Sequence, residues 1–335
     1  MSFLEQLNPE QREAVLHRDG PLLILAGAGS GKTRVICYRL AYLIGDGHAE
    51  PDQVLAVTFT NKAAEEMRSR VEKLLESESP RLWISTFHAF CARLLRREGP
   101  RIGLSRDFVI YDSVDQLSAV RQAMRDLNVD DKITPPRSLL SRISHAKNRM
   151  ESASDIRQNS HGFGDDQLAA VYERYLQTLT QSGALDFDDL LLKAVTLFET
   201  SDDARERYAD RFRYVMIDEY QDTNRPQYML IRLLTDQHRN LCVVGDPDQS
   251  IYKWRGADLR NILDFEEDYP ETTVVRLERN YRSTQVILDA ATNVISRNQH
   301  RKEKKLYAER SGGEPVICHR ANDELEEADF ILGQI

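Results

Sequence analysis

The chain has 335 residues, 41% of them hydrophobic and 30% charged, which is enough apolar material for a large core and for more than one domain. A formal net charge of −9 excludes a global electrostatic footprint for nucleic acid, so any such binding must rest on local patches. Cys37, Cys91, Cys242 and Cys318 are too far apart for a metal-ligating pair or a disulfide framework, no apolar run nears the ~18 residues of a membrane span, and the N-terminus lacks a signal-peptide pattern, which points to a cytoplasmic protein without a membrane partner.

The first element is an apolar run over residues 22–25, read as a strand, followed by AGAGSGKT over residues 26–33 and then a helix-like stretch. A strand feeding a tight glycine-rich turn lets successive backbone N–H groups converge on phosphate oxygens, and the helix start adds its positive dipole end. The spacing therefore predicts a nucleotide site. In it Ala28, Gly29, Ser30 and Gly31 cradle phosphates, Lys32 reaches the outer phosphates and Thr33 ligates Mg²⁺. Ala26 stands where the pattern usually has glycine, and a small residue there still permits the turn.

Further apolar runs recur at residues 54–59, 83–85, 214–217, 241–244 and 273–277, with helix-like stretches between them. Strands alternating with helices predict an α/β fold with a parallel sheet covered on both faces. Between about residues 99 and 186 this rhythm gives way to helix-like segments at 114–127, 137–150 and 166–181, separated by Pro135-Pro136 and HGFGDD. Such a block reads as a helical subdomain hung off a loop of the sheet. The expected layout is a first core built from residues 1–98 and 186–280, an insert over 99–185, and the start of a second core over 281–335. RNQHRKEKKLYAER, residues 297–310, is cationic and is read as a solvated face or turn.

The strand YVMI ends in Asp218 and Glu219, at the sheet edge where open parallel sheets bind ligands. Asp218 is expected to hold Mg²⁺ through water and Glu219 to polarise a water attacking the γ-phosphate. The turn and cap formers of DEYQDTN offer a plain capping role as the alternative. A later strand, LCVVGD, runs into PDQSIYKWRGA. There Gln249 can sense a γ-phosphate, and Tyr252, Trp254 and Arg255 combine aromatic faces with a cation, as stacking on single-stranded nucleic acid requires. Trp254 lies between Lys253 and Arg255 in a polar loop and is expected to be exposed.

Taken in order, LNPEQREAV, AGAGSGKTR, TFTNKAAEEMRSR, ISTFHAF, LDFDDLL, IDEYQDTN, VVGDPDQSIYKWRGA and LERNYRST resemble the signatures of superfamily 1 helicases of the UvrD/Rep/PcrA type, over nearly the whole chain. The resemblance implies a RecA-like P-loop NTPase core and an ATP- and Mg²⁺-dependent motor. It would move 3′ to 5′ on single-stranded DNA and act at single-strand/double-strand junctions, with repair or replication proteins as partners. It implies that Gln11 reads the adenine edge and that Arg34 and Tyr281 sandwich the adenine ring. Arg282 would act as an arginine finger from across the cleft, completing the catalytic set of Lys32, Asp218, Glu219 and Gln249. Along the DNA track it implies Thr58, Phe59, Thr86, His88, Phe187, Tyr252, Trp254 and Arg255; Arg68, Arg70, Arg93, Arg96 and Arg97 offer local positive charge, with a solvated helix face as their default role. Phe59 and Phe187 equally suit an apolar core. The motor part of a helicase–nuclease, and an ATP-switched binding module, are the competing readings. The family's later signatures are not found after Arg282, so the expectation is an N-terminal part of a longer helicase, binding ATP–Mg²⁺ but hydrolysing slowly and not unwinding duplex.

Overall fold

Ten strands are present in the computed structural model, which describes residues 2–77, 81–160, 162–298 and 301–335. They are β1 (Leu22–Ala26), β2 (Val54–Thr58), β3 (Trp83–Thr86), β4 (Val109–Ile110), β5 (Ala184–Leu185), β6 (Tyr214–Ile217), β7 (Leu241–Gly245), β8 (Thr273–Leu277), β9 (Arg279–Thr284) and β10 (Tyr307–Arg310). The six expected strands form one sheet in the order β3-β2-β6-β7-β1-β8, and every pairing in it is parallel. Strands β1, β2 and β7 are buried along their whole length, as helices on both faces of a parallel sheet demand.

The period of two sorts each strand between two cores. Leu23 and Leu25 face Phe90, Leu94, Leu191 and Leu230, from the Phe87–Glu98, Phe187–Thr200 and Arg225–Thr235 helices. Leu22, Ile24 and Ala26 face Ala14, Val35, Leu40 and Met67, from the Pro9–Leu16, Lys32–Gly45 and Asn61–Leu75 helices. Among the described residues no helix is long and apolar enough to cross a membrane.

A separate apolar cluster, including Val120, Leu139, Ile143, Tyr172 and Tyr175, joins helices Ser113–Asp126, Pro136–Asn148, Ala153–Gln158 and Phe163–Gln181. The last of these starts inside HGFGDD, a stretch read from sequence as a breaker. Asp165 and Asp166 in its first turn favour the positive end of the helix dipole, and His161 lies outside the described residues. The pairing of β4 with β5 clamps the entry and exit of this helical block together. Two-residue strands have no periodicity to betray them in the sequence.

The joint between the helical block and the sheet is polar. Lys147 is fully buried, with Nζ 2.6 Å from Asp186 and 2.7 Å from Asp189, and the Tyr175 hydroxyl donates to Asp186 at 2.8 Å. Burial alone would lower the Lys147 ammonium, but the charges of Asp189 and Asp186 overcome it and hold the group above its ordinary value. Removing one member of such a buried set leaves an uncompensated charge, at a cost of about 3–5 kcal/mol.

Candidate functional site

The glycine-rich loop between β1 and the Lys32–Gly45 helix is braced from within and from both sides. Ser30 is buried and its hydroxyl donates to the Gly27 carbonyl at 2.8 Å. Gly29 and Gly31 adopt positive φ of 69° and 92°, and both are crowded. A methyl group on Gly29 would come within 2.7 Å of Arg282 Cβ, and one on Gly31 within 2.9 Å of Gln11 Nε2. Ala28 stands exposed at the turn.

Lys32 joins three strand ends. Its Nζ lies 3.3 Å from Glu219 Oε2, just past β6, and donates to Gln249 Oε1 at 3.2 Å, just past β7. Gln249 is held in turn by donating to Asp246. Asp218 is only 3% exposed, and its N–H extends the sheet by donating to the Val57 carbonyl at 2.9 Å. Burial, reinforced by the charge of Glu219 and opposed by Lys32, pushes the Asp218 carboxyl up to about 7. Burial and Glu219 likewise push Asp222 up to about 6. Glu219 has a left-handed φ of 50°, a strained backbone for a non-glycine residue, and Gln221 Nε2 donates to its carboxylate at 2.9 Å. Gln221, buried and unnoticed in the sequence, is thus the brace for the strained glutamate.

The donor set suits a hard divalent cation. Mg²⁺ keeps several waters and takes one or two protein oxygens plus phosphates, which the Thr33 hydroxyl and the Asp218 carboxylate can supply. No group of three or more His, Cys, Asp or Glu side chains able to hold a metal occurs among the described residues.

Strand β9 approaches the loop from outside the main sheet. The Tyr281 N–H donates to the Gly29 carbonyl at 2.9 Å, and Asn280 Nδ2 donates to the Ala28 carbonyl at 2.5 Å. Asn280 Oδ1 accepts from the N–H groups of Arg282 and Ser283, so this buried asparagine sets the turn that carries Arg282. The only trace of this role in the sequence is a turn-forming Asn inside the strand pattern of LERNYRST.

Gln11, Arg34 and Tyr281 gather around residues 6–11. Gln11 is buried; its Nε2 donates to the Ser30 carbonyl at 3.0 Å and its Oε1 accepts from Asn8 N–H at 3.3 Å. Both ends of the amide expected at an adenine edge therefore brace the loop and cap a helix. Arg34 donates to the Gln6 carbonyl at 2.9 Å and lies over Tyr38, while Tyr281 accepts from Asn8 Nδ2 at 2.9 Å and lies under Arg279.

The cationic segment is solvated at Arg297, Lys305 and Arg310 but departs from that expectation in its middle. Lys304 is buried against Asp246 and lies 2.9 Å from Asp248, Arg301 lies 3.0 Å from Asp248, and Lys302 pairs with Glu266. The acidic end of β7 attracts Arg301 and Lys304 and overrides their solvation; Gln299 and His300 of the segment lie outside the described residues.

An open cleft of about 970 Å³ runs between the sheet edge and the helical block, lined by Phe59, His88, Tyr252, Trp254 and Arg255 among others. Trp254 is 71% exposed; its ring centroid lies 6.4 Å from that of Tyr252, and the Arg255 guanidinium sits over both rings. Phe187, 46% exposed, meets His88 edge-on at 5.8 Å, and burial holds the His88 imidazole below its ordinary value. Phe59 is half-buried against Phe87.

Of the two threonines expected on this track, one is buried and the other caps a helix. Thr58 is 2% exposed at the end of β2, and the Thr86 hydroxyl accepts from Ala89 N–H at 3.2 Å as the cap of the next helix. Three of the arginines expected as local positive charge also serve the fold. Arg68 donates to the Leu82 and Ile84 carbonyls, Arg93 covers Trp83 and Arg96 covers Phe108.

A parallel sheet with a glycine-rich loop after β1, and acidic strand ends facing the lysine of that loop, defines a RecA-like P-loop core. Residues 7–270 match the UvrD/REP helicase N-terminal domain, and residues 275–335 match the UvrD-like helicase C-terminal domain. The chain belongs to the UvrD/REP helicase family. It is 47% identical over 334 residues to the ATP-dependent DNA helicase PcrA of Staphylococcus epidermidis, and equally to that of Staphylococcus aureus. The match covers 100% of this chain and 46% of each relative, so the chain spans about half the length of the relatives it matches.

Proposed function

We propose that this chain is the ATP-hydrolysing portion of a cytoplasmic DNA motor that moves 3′ to 5′ along single strands and works at single-strand/double-strand junctions in repair or replication. Residues 1–98 and 186–280 form its nucleotide-binding core, 99–185 its helical insert, and 281–335 the opening of a second core. The observation that carries this reading is the convergence of Lys32, Glu219 and Gln249 on one sheet rim, with the Trp254 platform on the loop leaving that rim.

In the proposed reaction the Ala28–Gly31 backbone cradles the phosphates, and Lys32 exchanges Glu219 and Gln249 for the phosphate oxygens. Glu219, freed of its ion pair, accepts the proton of the attacking water, and Gln249 orients that water. Thr33 and Asp218 hold Mg²⁺, which when bound neutralises charge developing on the phosphate oxygens. Arg282 brings its fork of donors to the transferring phosphoryl group from β9. Gln11 exchanges one of its backbone partners for the adenine edge, with Arg34 and Tyr281 enclosing the ring. Phe59, His88, Phe187, Tyr252, Trp254 and Arg255 form the strand track, where stacking supplies ~1–3 kcal/mol per base.

Phosphate release from ATP, measured on this chain with and without oligodeoxythymidylate, tests the reading. Slow release that the strand accelerates is expected; release indifferent to the strand, or absent throughout, overturns it. In a strand-displacement assay on a forked duplex the chain alone should leave the duplex intact.

A further inference from the structure

Asn148 ends the Pro136–Asn148 helix of the insert and uses its amide in two directions. Its Nδ2 donates to the Ser144 carbonyl at 2.7 Å and to the Asp188 carboxylate at 3.1 Å, while its Oδ1 accepts from Asn224 Nδ2. Asn224 is itself a junction. It caps the Arg225–Thr235 helix by accepting from Gln227 N–H at 3.0 Å, and it follows Asp218 and Glu219 through a single 3₁₀ turn, Tyr220–Asp222.

The aromatic loop docks on the same stretch. Asn224 bridges Ala257 in antiparallel fashion, and the Asp258 N–H donates to the Thr223 carbonyl at 2.9 Å. Gly256 ends the loop's 3₁₀ turn with a left-handed φ of 84°, and a methyl group there would lie 2.6 Å from Asn148 Cβ. The approach is so close that Asn148 forms the seat on which the loop rests. Lys147, buried beside it against Asp186 and Asp189, keeps that seat from shifting.

We propose that Asn148 is a positioning residue for strand binding: it seats the Tyr252–Gly256 loop against the insert and ties it, through Asn224, to the acidic end of β6. The inference rests on the reading of Tyr252, Trp254 and Arg255 as a stacking platform. A platform this exposed gains little fixation from its own packing, so its backbone must be held from below. Without the seat, ordering the loop would be charged against each binding event.

The chain has two tryptophans. Trp83 is packed among Phe90, Phe212, Arg93 and Arg211, so strand-induced quenching of tryptophan emission reports on Trp254. Oligodeoxythymidylate is titrated into the parent chain, Asn148→Ala, Asn224→Ala and the double variant, with thermal melts confirming folding. Each single variant should bind the strand about tenfold more weakly, and the double variant no more weakly than either, because one joint is broken in all three. Affinity of Asn148→Ala for a non-hydrolysable ATP analogue, measured without strand, should stay at the parent value, a split that general destabilisation would not produce. Should Asn148→Ala fail to fold, Asn148→Asp keeps the acceptor for Asn224 but sets a carboxylate against Asp188, and must weaken strand binding likewise. Parent-like strand affinity in a folded Asn148 variant, or additive losses in the double variant, overturns the proposal. Because strand binding quenches through Trp254 itself, Trp254→Ala is followed by anisotropy of a labelled oligonucleotide; undiminished affinity there overturns the platform reading beneath it.

Discussion

The sheet rim and the neighbouring cleft hold their side chains in opposite ways. At the rim, Lys32, Glu219, Gln249 and Asn280 are bound to one another or to the loop backbone, and Asp218 is buried with its carboxyl pushed up to about 7. In the cleft, Trp254 and Arg255 stand exposed, in contact with each other and with Tyr252, and nearby Phe187, also exposed, meets only the edge of His88. Recognising a localised charge requires fixed dipoles in a poorly solvated site, whereas stacking on bases requires bare faces with few prior obligations. One short loop, residues 246–256, carries both Gln249 at the rim and Trp254 in the cleft.

The largest effect should come from Lys32→Ala, which is expected to reduce phosphate release by roughly 10²–10³-fold, the scale of losing one preorganised charge-stabilising donor. Strand binding read through Trp254 should survive, and equal loss of both would erase the distinction between the two regions. Asp218→Asn should also abolish most hydrolysis, yet raise stability at alkaline pH. Burial lifts the Asp218 carboxyl from 3.8 to about 7, so folding takes up a proton between those values and stability falls as pH rises through that window. The asparagine variant escapes that loss, so it should melt above the parent at pH 8 and level with it near pH 4. A lower melting temperature at pH 8 would show that the buried Asp218 carboxylate does not cost the fold stability.

Trp254→Ala should weaken binding of a labelled single strand by about 5–150-fold, corresponding to ~1–3 kcal/mol of stacking, while leaving affinity for an ATP analogue intact. The smallest effect is expected from Thr86→Ala, which removes a helix cap and should lower stability by about 1 kcal/mol without changing strand affinity. Weaker strand binding with an unchanged melt would favour the strand-contact role of Thr86 over the cap.

The strands of the main sheet, the phosphate loop and the acidic pair were all legible in the chain, because each is written in neighbouring residues. Apolar runs bounded by turn formers gave away β1, β2, β6 and β7, and the glycine spacing before Lys32 has few other uses. Exposure of Trp254 was readable from Lys253 and Arg255 beside it. Thr58, Thr86 and Gln11 were harder, since a hydroxyl or an amide serves a cap or a loop brace as readily as a ligand, and only the neighbours across the fold decide. Arg301 and Lys304 depart from a solvated face for the same reason: nothing near them in sequence announces Asp246 and Asp248.

Local order, then, was inherent in the amino-acid sequence: which segments are strands, where a loop can wrap phosphates, which strands end in carboxylates. The meeting of Lys32 with Gln249, 217 positions apart, and of Asn280 with Ala28, 252 apart, came only with the sheet order β6-β7-β1 and the return of β9 to the loop. Backbone propensity acts over a few residues, whereas charge pairing, burial and the seat beneath an exposed loop depend on which surfaces the packed layers bring within a few ångströms of each other.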